Sequence, residues 1–242
     1  MRAQIEHLDT NGMAWQAAGA GVYLKALNAG TDGGARTALV KFVPDEGFAA
    51  PSRKHYHSLS EELLVISGLM TFDHVTWLEG GSYCYHPPFV VHGANSAVPE
   101  TTVLLARGEG ELDFNFPEAA EVGAAFDGSK PTRGLLYLNR TQEKDWTPLF
   151  DGDGRQIGER LDLGADSVTG AGACFERYFA GWARDESAEG LPLYDEAYVL
   201  EGAVTSDTGE VWGEGCYWYR AAGTPMPGVR SAFGALVFRC FG

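Results

Sequence analysis

Four residues of this 242-residue chain have the types and spacing to hold one metal ion: His55, His57, Glu61 and His92. Successive side chains of a strand alternate faces, so the two imidazoles of His55-Tyr56-His57 point the same way while Tyr56 points away. The run Glu61-Glu62-Leu63-Leu64-Val65-Ile66-Ser67, closed by Gly68, reads as the next strand and puts Glu61, Leu63 and Val65 on one face. His92 follows a turn marked by Gly81, Pro87 and Pro88. Three neutral imidazoles and one carboxylate around a divalent ion leave a net charge of about +1 and, in six-coordinate geometry, two open positions. Fe(II), Mn(II), Ni(II) and Co(II) suit such a site, as does Zn(II) at lower coordination number.

Other candidates are weaker. Glu62 rivals Glu61 for the carboxylate, but a one-residue shift would turn Leu63 and Val65 outward together. His86, just before the proline pair, is read either as a catalytic acid or base lining the cavity or as a wall element. His7 and His74 are expected at the surface. Arg107 either clamps an acidic substrate or pairs with one of the many acids; Lys41 and Arg177 also fall in predicted strands. Asp151-Gly152-Asp153-Gly154 resembles the start of a calcium loop, yet Arg155 and Gln156 stand where an oxygen donor and a glycine are needed, so a tight turn is expected.

Short alternating runs at 37–43, 61–67, 69–76, 82–86, 102–107 and 111–116, punctuated by Gly, Pro and Asp, predict an all-β sandwich or barrel. A short helix is expected near 117–125, and Met13 to Ala18 is ambiguous.

The blocks Gly47 to Gly68, with its H-x-H and glutamate, and Gly81 to His92, with its proline five residues before the histidine, resemble the two conserved motifs of the cupin superfamily. Phe89 replaces a family glycine, which predicts negative φ and a differently shaped hairpin before His92, and the trailing asparagine comes one position early, at Asn95. The resemblance implies jelly-roll β-barrels and one divalent metal, Fe(II) first among the candidates. It leaves the reaction open, since the superfamily includes dioxygenases, isomerases, decarboxylases, hydrolases and proteins without catalysis. With an aromatic-rich first half, a small-molecule dioxygenase is the leading expectation. A non-redox isomerase or hydrolase and a non-enzymatic metal-binding or ligand-sensing module are the alternatives.

At an offset of about 135 residues the chain repeats itself: Val75-Thr76-Trp77-Leu78-Glu79-Gly80 meets Glu210-Val211-Trp212-Gly213-Glu214-Gly215, and Glu61 to Gly68 meets Asp195 to Gly202. Two tandem cupin-type barrels, a bicupin, are expected over residues 1–125 and 126–242. The second is read as degenerate: the positions opposite His55 and His57 fall in Ala188 to Leu191, Pro227 faces His92, and only Asp195 keeps a donor. Its aromatics Trp182, Tyr198, Trp218 and Tyr219 form either core or a metal-free pocket. Tyr198 to Gly202, Ser206-Asp207 and Gly215 also look like the cupin-type domain of zinc anti-sigma factors.

A formal charge of −15, from 18 basic and 33 acidic residues, makes nucleic acid and anionic membrane poor partners and leaves a small molecule as the expected one. No apolar run reaches the roughly 20 residues of a membrane helix, and the start lacks a signal-type segment, so a cytoplasmic location is expected. Cys84, Cys174, Cys216 and Cys240 are scattered and read as buried thiols. Cupin-like pairing through sheet edges would give a homodimer, unless the repeat meets that need within the chain.

Overall fold

The computed structural model describes residues 2–31, 35–126, 133–139, 145–185 and 193–242. The chain forms two compact units, one of residues 1–2 and 14–142, the other of 3–13 and 143–242. Both are built from antiparallel sheets, and together they give the all-β, two-barrel jelly-roll architecture expected. Among the described residues helical geometry is limited to a 3-10 turn at Pro44–Glu46 and the 3-10 residue Phe126.

The first unit contains β2 (Gln16–Gly19), β3 (Val22–Ala29), β4 (Arg36–Phe42), β5 (Glu61–Ser67), β6 (Leu69–Thr71), β7 (Trp77–Glu79), β8 (Tyr83–His86), β9 (Thr102–Gly108) and β10 (Leu136–Leu138). Its main sheet runs β10-β8-β5-β9-β4-β3-β2, with β6 and β7 as a separate hairpin. Alternation along β5 and β8 sends Leu63, Val65 and Cys84 into a core with Met70, Phe72, Leu78 and Leu104. Each such side chain, fully buried, contributes on the order of 1.5–3 kcal/mol.

The second unit takes β1 (Ile5–Asp9) together with β11 (Thr147–Phe150), β12 (Gln156–Ala165), β13 (Gly172–Tyr178), β14 (Trp182–Arg184), β15 (Asp195–Ser206), β16 (Val211–Gly213), β17 (Cys216–Arg220), β18 (Val229–Ser231) and β19 (Ala235–Phe241). Its main path is β1-β17-β15-β19-β13-β12-β11. Trp182, Trp212 and Trp218 pack with Tyr178, Val199 and Val237, and the Tyr178 and Trp182 rings stack 3.8 Å apart. Trp182 and Trp218 are therefore core, and Tyr198 and Tyr219 are buried as well.

The β5–β8 and β15–β17 pairings share one register at an offset of 134 residues, from Glu61 to Asp195 and from His86 to Arg220. This sets Tyr83 against Tyr217 and Cys84 against Trp218, one residue away from the sequence alignment. Gly68 and Gly202 end the matched strand segments at positive φ, and a Cβ there would lie 2.5 Å from the Thr101 carbonyl oxygen and 2.3 Å from that of Gly234. Glycine is needed at both places because backbone passes too close for any side chain.

Several local expectations change. Residues 117–125 form turns and bends rather than a helix, and 111–116 is an extended segment tied by an Asn115–Tyr56 bridge instead of a strand. The predicted strand 69–76 stops at Thr71, because the Asp73 carboxylate accepts the backbone N–H groups of Val75 and Thr76 and curls the chain. Asp151 likewise accepts the N–H groups of Asp153 and Arg155, making the expected tight turn. All four cysteines are buried, and none forms a disulfide. The positions opposite His55 and His57, Ala188 to Leu191, lie outside the described residues.

Candidate metal centre

His55 and His92 pair through an isolated bridge, His55 N–H to the His92 carbonyl at 3.0 Å and His92 N–H to that of His55 at 2.8 Å. That bridge sets the two rings 4.5 Å apart between centroids, and His57, on the same face as His55, lies 5.1 and 5.0 Å from the other two. All three are at most 3% exposed. One nitrogen from each falls within 4.8 Å of one from each of the others.

The ring orientation follows from hydrogen bonding. The Nδ1 atoms of His55 and His92 lie 2.9 Å from the carbonyl oxygens of Arg53 and Val90, and that of His57 contacts the carbonyl of Asp113. A carbonyl only accepts, so each Nδ1 carries the proton and each neutral ring keeps its lone pair on Nε2. Nε2 of His57 and of His92 are buried without a hydrogen-bond partner. Burial, then the facing His86, holds the His92 ring neutral by lowering its pKa to about 2; burial also lowers that of His55. Buried lone pairs left unpaired are costly in a purely protein environment and suit coordination.

Glu61 lies beside two of the three imidazoles. Its Oε2 lies 3.9 Å from His57 Nε2 and 3.6 Å from His92 Nε2, and it accepts a 2.6 Å hydrogen bond from His86 Nδ1. Ligands about 2.1 Å from a common ion can be up to about 4.2 Å apart, so these two spacings suit a shared ion. The donor atoms within 4.8 Å of one another form two groups, His55-His57-His92 and Glu61-His86-His92, which share His92. Burial alone would raise the Glu61 pKa, but the His86 hydrogen bond and surrounding imidazoles win and bring it to about 2, an anion at neutral pH.

His86 is fully buried and stacks on His92 with centroids 3.7 Å apart. Its Nδ1 serves Glu61 and its Nε2 accepts from the Tyr137 hydroxyl at 3.0 Å. Although Glu61, His86 and His92 also cluster, both ring nitrogens of His86 are thus engaged, which makes it the group that orients Glu61 rather than a further ligand. Tyr137 was missed in the sequence; only the β8–β10 pairing brings it here.

Glu62 turns to the other face. It receives hydrogen bonds from Arg107 at 2.9 Å, from Arg133 at 3.0 Å and from the Tyr83 hydroxyl, so Arg107 is a half-buried ion-pair partner of buried Glu62. His7 and His74 are exposed. Phe89 departs from expectation: its φ is +60°, the left-handed conformation a glycine would take, so the hairpin shape survives the substitution. Its N–H donates to the His57 carbonyl at 2.8 Å, a bond that ties the hairpin to the His55–His57 segment and opposes the strain.

Beside the centre lies a cavity of about 310 Å³, lined by His55, Glu61 and mostly apolar side chains, including Phe42, Phe48, Leu63 and Phe72.

Comparisons with known proteins agree with this fold. Residues 3–113 match the ChrR Cupin-like domain family. The match falls on the half with the histidine cluster, whereas the sequence likeness to zinc anti-sigma factors was in the second half. No curated protein sequence matches. Among solved structures, a candidate dioxygenase from Nostoc punctiforme is 19% identical with a TM-score of 0.79, over 98% of this chain and 82% of its own. Protein YlbA from Escherichia coli is 16% identical, TM-score 0.61, over 98% and 90%. A variant oxalate decarboxylase from Bacillus subtilis is 12% identical, TM-score 0.55, over 99% and 77%; a further match to that enzyme is described by its Mn(II) centres. At such identities these structures show the fold. No described helix is long and apolar enough to cross a membrane. Residues 3–113 are thus similar to a cupin-like family, and the chain shares its fold with these structures.

Proposed function

We propose that the first unit holds one divalent transition metal through Nε2 of His55, His57 and His92 and a carboxylate oxygen of Glu61, and that it acts as a small-molecule oxygenase. The observation carrying this reading is the set of three imidazoles whose Nδ1 atoms are all committed to backbone carbonyls, with the buried Nε2 atoms of His57 and His92 unpartnered. Fe(II) is the favoured ion, and Mn, Ni, Co or Zn fit the same donors. The bound ion would supply Lewis acidity and redox chemistry toward substrate and O2. The protein's own part is positional: His86 fixes the orientation of Glu61, Glu61 lowers the charge of the centre, and the apolar cavity walls exclude water and seat the substrate.

The chain is then a bicupin with one metal-bearing and one blank repeat. Apoprotein loaded with Fe(II) under nitrogen, then mixed with a panel of small oxygen and sulfur donors, is expected to consume O2 with at least one of them. No uptake over a broad panel counts against oxygenase activity. Undiminished turnover with Mn(II) without oxygen would select non-redox chemistry.

A further inference from the structure

We infer that the substrate is a neutral molecule with a compact apolar body and a hydroxyl or carbonyl group held by Ser96, rather than a carboxylate; this rests on the metal-centre reading above. The cavity beside His55 and Glu61 has a volume of about 310 Å³, room for a small organic molecule. Its described walls are apolar save for three residues: His55, Glu61 and Ser96. The first two belong to the metal centre. Ser96 Oγ is buried and has no hydrogen-bond partner, so it is a donor and acceptor awaiting one.

No lysine or arginine is among the described lining residues. The nearby cations are committed elsewhere: Arg107 and Arg133 to Glu62 on the opposite face of β5, Lys54 to the Ala120 carbonyl at 2.9 Å, and Arg53 over the Phe116 ring at 4.7 Å. A carboxylate entering this space would lose its hydration and meet only the modest positive charge left after Glu61 offsets a divalent ion. The chain's net charge of −15 further disfavours anions. An apolar body gains instead from Phe42, Phe48 and Leu104, while Ser96 supplies the one directional contact and thereby fixes which end faces the metal.

The test uses Co(II), whose visible bands report both coordination and ligand binding. Elemental analysis should give one Co(II) per chain in the full-length protein and none in His92→Ala. Titration of the Co(II) form should show 5-hydroxyoctan-4-one binding at least tenfold more tightly than lactate or oxalate, as burial of its alkyl arms requires. Ser96→Ala should weaken the hydroxyketone about five- to tenfold, Ser96→Thr should restore it, and neither should change Co(II) content. Stoichiometric, His92-dependent Co(II) with lactate or oxalate bound as tightly as the hydroxyketone overturns the substrate class and leaves the metal centre standing. An unchanged hydroxyketone affinity in Ser96→Ala overturns the role of Ser96. Failure to bind Co(II) at His92 overturns both readings.

Discussion

Glu61 and Asp195 occupy the same register position, each opening the central strand of its sheet, and their surroundings differ in one respect that decides what each unit can do. Glu61 faces imidazole nitrogens and an apolar cavity. Asp195 receives a 2.9 Å hydrogen bond from Arg239 Nε and another of 2.9 Å from Trp218 Nε1, and Arg239 also pairs with Glu176 at 2.8 Å. The pairing registers match Arg239 to Ala106, Glu176 to Val40 and Asp195 to Glu61. Where the first unit leaves space, the second inserts a guanidinium and a second carboxylate. Burial would lower the Arg239 pKa, but Asp195 and Glu176 raise it well above the ordinary value, so the cation is permanent. The lesson is that a buried carboxylate at this position calls for a positive partner, and the second unit builds one into the chain where the first has donors for an ion.

The comparison breaks most sharply if the covalent cation is moved. Ala106→Arg places a guanidinium beside Glu61, in a cavity large enough to take it, and should cut metal content at least tenfold while leaving the unit folded, as read by elemental analysis and circular dichroism. Retained metal would show that the two positions are not equivalent in chemistry.

Removing the cation where it occurs naturally should cost about 3–5 kcal/mol, because buried Asp195 loses its guanidinium partner and buried Glu176 keeps only the longer ion pair to Arg160 at 3.6 Å. Arg239→Met, followed by urea denaturation, reads this. Burial raises both carboxyl pKa values, yet Arg239 outweighs it and depresses them in the folded protein. Their contribution to stability is therefore fully present above the unfolded carboxylate range, about pH 4, and is lost as pH falls below it. In Arg239→Met the two groups are pushed upward instead, so the gap between variant and wild type should shrink as pH falls from 7 toward 4. A constant gap would mean that the guanidinium acts by packing alone.

Adjacent glutamates separate the two kinds of role within one strand. Glu61→Gln should lose most of the metal with little change in unfolding midpoint. Glu62→Gln should keep the metal and lose about 2–3 kcal/mol, since Arg107 and Arg133 are left short of a buried anion. The opposite result for either variant would reverse the assignment of faces along β5.

Strand alternation made that assignment, and most of the site, legible in the sequence: His55, His57, Glu61 and His92 carry local patterns, and the Glu61–Leu63–Val65 face follows from period two. What stayed hidden depends on pairing between distant strands. Nothing in Ile5–Asp9 says that it pairs with β17 in the second unit. Tyr137 reaches His86 only through β10. Arg239 does carry a sequence signal, for aligning Leu104-Leu105-Ala106-Arg107 with Val237-Phe238-Arg239-Cys240 exposes the exchange of alanine for arginine.

Phe89 sharpens the comparison at its smallest scale. Its counterpart at the same offset is Gly223, and both have positive φ, +60° and +75°, so the two hairpins share a backbone shape that one reaches with glycine and the other with phenylalanine. Phe89→Gly removes about 1–2 kcal/mol of left-handed strain. It also gives up a half-buried ring near Tyr56, worth about 1 kcal/mol, and adds glycine's entropy, about 0.5–1 kcal/mol. These terms oppose one another at similar size, so the unfolding free energy should change by less than about 1 kcal/mol and metal content should not change. A loss above about 2 kcal/mol, or a drop in bound metal, would instead make the Phe89 ring a support for the His57 strand, because its N–H bond to the His57 carbonyl survives the substitution and cannot account for the loss.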